Sequence, residues 1–350
     1  MVGRTWRGAR ELTVTADDAA GGGELLALAY PALVGTPEPG DRVLLNTGAL
    51  ALGLGTGGYA LVVALPDRLP PDQELGGHLV KARYTPLQAI VAGVDEPGSP
   101  YHPLLADADD LAGLPVVTAD LHSALPAILA GVHADAPGAR VGYVMTDGGA
   151  LPAWFSRTLD GLAGSLAGVV TVGQAFGGDL EAASLHSGLL AARHVLRADL
   201  VVVSQGPGNL GTGTRWGFSG VAAGEAVNAA AVLGGRPVGA LRISADDPRP
   251  RHRGVSHHCL TAYGRVALAR ADLVVPDRLP APLAAEVTAA LGPLAARHRI
   301  VTVDPAGLDA ALRTSPVQLS TMGRGLDADH PYFLANAAAG RHAASLLRSK

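Results

Sequence analysis

From about residue 104 onward, short apolar runs alternate with longer alanine- and leucine-rich stretches. No other feature restricts the fold as much. The short runs lie at 115–118, 140–145, 168–172, 200–204, 238–243, 273–275, 300–303 and 317–320. Helical patterns sit between or after them at 122–135, 150–164, 179–197, 219–233, 282–297 and 330–347. Strand, helix, strand in sequence predicts right-handed crossovers, and hence a parallel sheet with helices on both faces. The expected class is α/β, with a Rossmann-like parallel sheet domain over 104–350.

The first 95 residues read differently. Apolar runs at 12–16, 26–33, 42–46 and 59–65 are separated by glycine- and proline-rich turns, a spacing that predicts a small amino-terminal β-barrel or sandwich domain over 1–95. The stretch 96–103 holds three prolines and a glycine, which block both helix and ladder, so it reads as the linker.

Composition narrows the function classes. Apolar residues make up 48% and charged residues 17%, a balance that supports a buried core. A net charge of −4 argues against a general nucleic-acid binder. A single cysteine, Cys259, excludes an internal disulfide and a multi-cysteine zinc site. The amino terminus carries no apolar signal-peptide core, and no uninterrupted apolar stretch is long enough for a membrane span. The expectation is a soluble cytoplasmic protein with no membrane partner; a homo-oligomer is left open.

The polar and glycine-rich clusters follow the predicted strands directly. They are Asp120-Leu-His122-Ser123, Thr146-Asp147-Gly-Gly149, the loop 173–179, the loop 205–214, the segment 242–258, and 321–325. In an open parallel sheet all strand carboxyl ends share one edge, and ligands bind in the crevice there. Six sequence-distant segments are thereby expected to converge, although short loops also favour Gly, Asp and Ser for turns alone.

The segment 242–258 is the most crowded, with four arginines, three histidines and two aspartates in seventeen residues. Arg249, Arg251 and Arg253 alternate and, if extended, share one side as a fork for carboxylate or phosphate; pairing with Asp246 and Asp247 is the structural alternative. His257 and His258 are candidate proton carriers, with Asp147 as base or orienter. No zinc spacing exists beyond His252 and His257, and adjacent histidines at a helix start project about 100° apart. No metal ligand is therefore assigned. Gly206-Pro-Gly208-Asn209-Leu-Gly211 fits a dinucleotide pattern in outline, but Gly213 and Thr214 delay the helix and no acidic residue follows at the required distance. It reads instead as an anion-binding loop through Gly206, Gly208, Asn209, Thr212 and Thr214. Gln174, Lys81 and Arg324 complete the candidate ligand-binding set.

Several of these stretches together resemble a known family. They are 44–49 (LLNTGA), 54–58 (LGTGG), 81–88 (KARYTPLQ), 145–148 (MTDG), 173–181 (GQAFGGDLE), 206–208 (GPG), 251–258 (RHRGVSHH) and 321–325 (TMGRG). Through them the chain resembles the bacterial proteins grouped as domain of unknown function family 3866 over nearly its whole length. The resemblance transfers no activity and no catalytic residue. The residues themselves point to an enzyme, transferase or hydrolase rather than oxidoreductase, acting on a small anionic, phosphorylated or nucleotide-like metabolite. A non-catalytic ligand-binding regulator and a metal-dependent hydrolase using His252, His257 and an aspartate are the alternatives. No cofactor follows from the sequence.

Overall fold

The computed structural model describes residues 1–16, 22–72 and 76–349. At the amino terminus β1 (Val2–Trp6), β2 (Ala9–Ala16), β3 (Gly23–Ala29), β4 (Leu44–Asn46) and β5 (Ala60–Ala64) form one sheet in the order β1-β2-β3-β5-β4. Only the β3–β5 pair is parallel. Where the sequence predicts a barrel or sandwich, the described strands form a single open sheet with β1 and β4 at its edges. Its size limits closure: β4 has three residues, and the apolar run at 26–33 leaves the sheet at Pro31, which opens the short helix Pro31–Val34. β6 (Leu79–Lys81) and β7 (Ala89–Val91) pair separately as a hairpin.

The remainder is built on an eight-stranded parallel sheet. Its strands are β8 (Pro115–Thr118), β9 (Val141–Thr146), β10 (Gly168–Thr171), β11 (Leu180–Glu181), β12 (Leu200–Gln205) and β13 (Arg236–Gly239). After a small hairpin of β14 (Ile243–Ser244) and β15 (Gly254–Val255) come β16 (Asp272–Pro276) and β17 (Arg299–Val303). The sheet order is β11-β10-β9-β12-β8-β13-β16-β17, and every pairing is parallel. The chain is thus mixed α/β with a Rossmann-like layering. Among the described residues no helix is long and apolar enough to cross a membrane.

Alternate side chains of each central strand enter opposite cores, as the two-residue period of a strand requires. Val117 and Val202 pack with Ile128 and Phe333 on one face; Val116 and Val201 pack with Leu189 and Ala226 on the other. The helix after β8, Leu125–Asp135, lies on the first face, and the helix after β12, Ala222–Val232, on the second. β8 and β12 are neighbours, so the chain leaves this pair in opposite directions. A crevice opens above their carboxyl ends.

Several boundaries differ from those expected. The 317–320 run does not enter the sheet; Ser320–Thr321 (β18) instead pairs with Arg324–Gly325 (β19) as a hairpin over the crevice edge. The helix expected at 179 starts at Leu185, where Ser184 and Ser187 form a capping box, because Leu180–Glu181 is taken up as an edge strand.

The first face is closed by a backbone-to-backbone helix crossing. A Cβ built on Gly131 would lie 1.8 Å from the Ala337 carbonyl oxygen, and one on Gly340 would lie 2.0 Å from that of Ile128. Neither neighbour is a side chain that can swing away. Gly131→Val is expected to destabilise the chain by about 3 kcal/mol or more through overpacking. Gly138→Ala, where nothing lies within 4 Å, is expected to leave the urea midpoint almost unchanged.

Candidate functional site

The histidines of the 242–258 segment are delivered by a compact piece of local structure. β14 and β15 pair, with Ser244 opposite Gly254. Between them a single 3₁₀ turn, Pro250–His252, begins at a proline and turns His252 inward to 1% exposure. Ser256 then caps the helix His257–Thr261, its Oγ accepting from the His258 N–H at 3.2 Å. The same Oγ lies 2.7 Å from His252 Nδ1. One hydroxyl therefore holds the His252 ring and the backbone that carries His258.

The rings converge. Their centroids are 4.9 Å apart for His252 and His257, 4.8 Å for His252 and His258, and 4.4 Å for His257 and His258. One ring nitrogen from each lies within 4.8 Å of the other two. The expectation that adjacent histidines face apart does not hold, because they occupy the first turn after a cap, where long side chains can bend back toward one point. Phe218 lies face to face with His258, 3.8 Å between centroids and 1° between planes, and holds that ring's orientation.

Asp120, two residues beyond β8, meets this cluster. Its Oδ2 lies 3.5 Å from His258 Nδ1. Asp120 Oδ2, His258 Nδ1 and His257 Nε2 are all buried without a hydrogen-bond partner. Asp120 is held from behind: its carbonyl accepts from Gln205 Nε2 at 2.7 Å. Gly220 permits the approach, since a Cβ there would lie 2.8 Å from the Asp120 carbonyl oxygen. Burial pushes His257 down to about 4, with the positive fields of His258 and Arg251 adding to it. Burial also pushes His252 down, to about 2, aided by Arg242 and Arg249. Both rings are neutral at ordinary pH, which makes them proton acceptors or ligands rather than acids.

The arginines of the segment divide into two groups. Asp247, fully buried, receives Arg242 Nη2 at 3.0 Å, Arg249 Nη2 at 2.9 Å and Arg324 Nη2 at 3.0 Å. Desolvation opposes its ionisation, but the Arg249 hydrogen bonds and the surrounding guanidinium charge outweigh it and hold the carboxyl well below its usual range. Arg249 and Arg324, both expected to bind ligand, are thus engaged in an internal network that also takes in Asp329 through Arg324. Arg253 Nε donates to the Asp247 carbonyl at 3.0 Å, with the rest of its side chain exposed. Arg251 is exposed and enters no ion pair among the described residues. It borders the glycine-rich loop: a Cβ built on Gly213 would lie 3.9 Å from Arg251 Nη2.

That loop forms the other wall. Asn209 Oδ1 accepts from Gln205 Nε2, Ser219 Oγ and the Gly220 N–H at 2.8, 3.1 and 3.2 Å, which latches the turn. Gly208 has φ +85°, and Gly206 packs so closely that a Cβ would lie 2.4 Å from the Ala150 carbonyl oxygen. Thr212 and Thr214 bond each other at 3.1 Å on the exposed outer part of the loop. A cleft of about 200 Å³ runs alongside, lined by His122, Ser123, Gln205, Gly208, Asn209 and Met322 among others. His122 anchors its floor, with Nδ1 2.9 Å from Tyr143 Oη and Nε2 2.7 Å from Ser156 Oγ.

Three expected site residues sit elsewhere on the sheet edge. Asp147, beyond β9, is exposed, and its Oδ2 accepts from the Gln174 N–H at 2.9 Å. Gln174 Oε1 in turn accepts from the Arg83 N–H at 3.0 Å. Lys81 Nζ donates to the carbonyls of Gly173, Ala175 and Ala182 at 2.9, 2.9 and 3.0 Å and lies 3.5 Å from Glu181. The lysine is 1% exposed and fastens the hairpin to the 173–182 loop. Sequence reasoning put Asp120 in a cluster at the sheet edge but assigned it no role in the site. Its signal was its position immediately after a central strand.

A sequence profile of the family described as protein of unknown function (DUF3866) matches residues 26–340, so the chain belongs to that family. No curated protein matches it, and no solved structure does.

Two stability outcomes follow from this geometry. Asp247→Ala leaves Arg242 buried without its counter-charge and is expected to cost about 3–5 kcal/mol in urea unfolding. The second concerns His122, which burial pushes from 6.5 down to about 4. The unfolded chain binds a proton near 6.5 that the folded chain refuses until about 4, so stability is lost as pH falls through that window. Melting temperature should drop between pH 7 and pH 4.5, and the drop should be smaller in His122→Gln.

Proposed function

We propose that the chain is an enzyme that acts on a small anionic metabolite in the crevice between the β8 and β12 carboxyl ends, by hydrolysis or group transfer. One observation carries this reading. Asp120 Oδ2, His258 Nδ1 and His257 Nε2 meet there, three of the nine buried side-chain polar atoms among the described residues that have no hydrogen-bond partner. Unsatisfied polar atoms cost stability, about 1–3 kcal/mol each, and a structure retains them where they serve a ligand or a reaction. Non-catalytic ligand binding would not need a buried carboxylate and two imidazole nitrogens left without hydrogen bonds.

Charge supports the anionic substrate. Asp120 is the one carboxylate facing the rings, while Arg251 stands at the mouth beside Gly213 with no internal partner among the described residues. The backbone from Gly206 to Thr214 carries no acidic residue to repel an anion. The division of labour is therefore Arg251, with Arg253 beside it, for attraction and orientation, the glycine-rich loop for close approach, and the Asp120–histidine cluster for chemistry. Soluble cytoplasmic residence is in keeping with a metabolite substrate.

A thermal-shift panel of sugar phosphates, nucleotides and organic acids tests the reading. At least one anion should raise the melting temperature, and Arg251→Ala should weaken that ligand's binding at least tenfold. Asp120→Asn should retain binding and lose turnover. A panel in which no anion shifts the protein, or a bound anion indifferent to Arg251→Ala, would sink the proposal.

A further inference from the structure

The geometry points to a divalent transition-metal site formed by His252, His257, His258 and Asp120. This deepens the crevice reading and rests on it, because the ion would occupy the centre of the same cluster.

Four observations carry the assignment. First, the ring nitrogens of the three histidines lie within 4.8 Å of one another. A tetrahedral ion held at about 2.1 Å from each nitrogen sets them about 3.4 Å apart, so binding would draw the rings inward by up to about 1.4 Å. Second, polar atoms in and beside the cluster lack hydrogen-bond partners: His257 Nε2, His258 Nδ1 and, 3.5 Å from the latter, Asp120 Oδ2 are buried and make no hydrogen bond. Third, the remaining ring is already oriented. His252 Nδ1 is engaged by Ser256 Oγ at 2.7 Å, which leaves Nε2 as its ligating nitrogen. An outer hydroxyl that fixes a histidine's tautomer is the usual accompaniment of metal ligation. Fourth, Asp120, 3.5 Å from His258, supplies a negative charge that partly offsets a dication.

The supports around the cluster match a coordination role better than a relay. Phe218 stacks flat on His258, a contact that fixes a ring plane but neither gives nor takes a proton. Gln205 grips the Asp120 carbonyl at 2.7 Å, so the carboxylate is presented by a braced backbone. Of the cationic groups nearby, Arg242 and Arg249 are ion-paired with Asp247, and Arg251 lies at the loop. Three imidazoles with one carboxylate are a donor set suited to zinc, iron, nickel or cobalt rather than to magnesium or calcium, which take oxygen ligands.

The test uses full-length protein without a histidine tag, stripped with chelator and checked for folding by circular dichroism. Calorimetric titration with zinc(II), and with cobalt(II) followed by its visible absorption, should show one equivalent bound per chain at neutral pH. His258→Gln and Asp120→Asn should each weaken zinc binding at least tenfold, and Ser256→Ala about 10- to 100-fold through loss of the outer hydroxyl. If His258→Gln fails to fold, His257→Gln serves in its place. Absence of stoichiometric zinc and cobalt binding by folded protein overturns the site, as does binding unchanged in both Asp120→Asn and a histidine variant. Repeating the anion thermal-shift panel on the stripped protein separates the two ideas. Anion binding that persists there while metal binding is absent overturns the metal site and leaves the crevice reading standing.

Discussion

A single buried carboxylate organises the functional half of this chain. Asp247 gathers Arg242 from the end of the central sheet, Arg249 from the histidine-bearing turn, and Arg324 from the hairpin of β18 and β19. Through Arg324 the network reaches Asp329, which also accepts from Ser244 Oγ at 2.8 Å and stands at the start of the long helix His330–Ser345. The segment 242–249 and the segment 324–329, far apart in sequence, are held together at one charge. Arg242 and Asp247 are almost wholly out of water, so their attraction is little screened, and neither can be lost without stranding the other. The inward turn of His252 depends on this frame.

The frame explains why the crevice can afford unsatisfied atoms. Asp120 and the histidines are set by rigid elements: a central strand, a capped helix and a stacked phenyl ring. Asn209 and Gln205 do the same for the glycine-rich loop by accepting and donating within it. Rigidity on both walls leaves the polar atoms between them without internal partners, which is the condition for strong interaction with whatever enters.

Much of the architecture was legible in the sequence because it depends on periodicity. The alternation of apolar runs and helical stretches gave the parallel sheet, and strand ends marked by glycine and polar residues gave the shared edge. What depends on three-dimensional charge pairing was not legible. For Arg249 an aspartate partner is one of two readings, and the fold shows that Asp247 takes both it and the distant Arg324. Asp120 falls among the clusters expected at the crevice but is given no role, since nothing in a linear chain shows which of them 252–258 will meet. The angular argument that separated His257 from His258 used ideal helix geometry, which a first turn capped by Ser256 does not obey at its side-chain tips. At the amino terminus, alternation announced strands but not their count per layer, and an open sheet stands where a barrel or sandwich was expected.

Lys81 carries a consequence of another kind. This chain uses arginine for nearly all its cations, with only Lys81 and Lys350 as exceptions. At Lys81 three carbonyl oxygens surround one nitrogen at about equal distance. A tetrahedral ammonium has three hydrogens pointing outward in that pattern, whereas a guanidinium is flat and spreads its hydrogens in a fan. Arginine, the cation this chain uses almost everywhere else, therefore does not suit this position, and the shape of a cation, more than its charge, decides which residue can join the hairpin to the sheet.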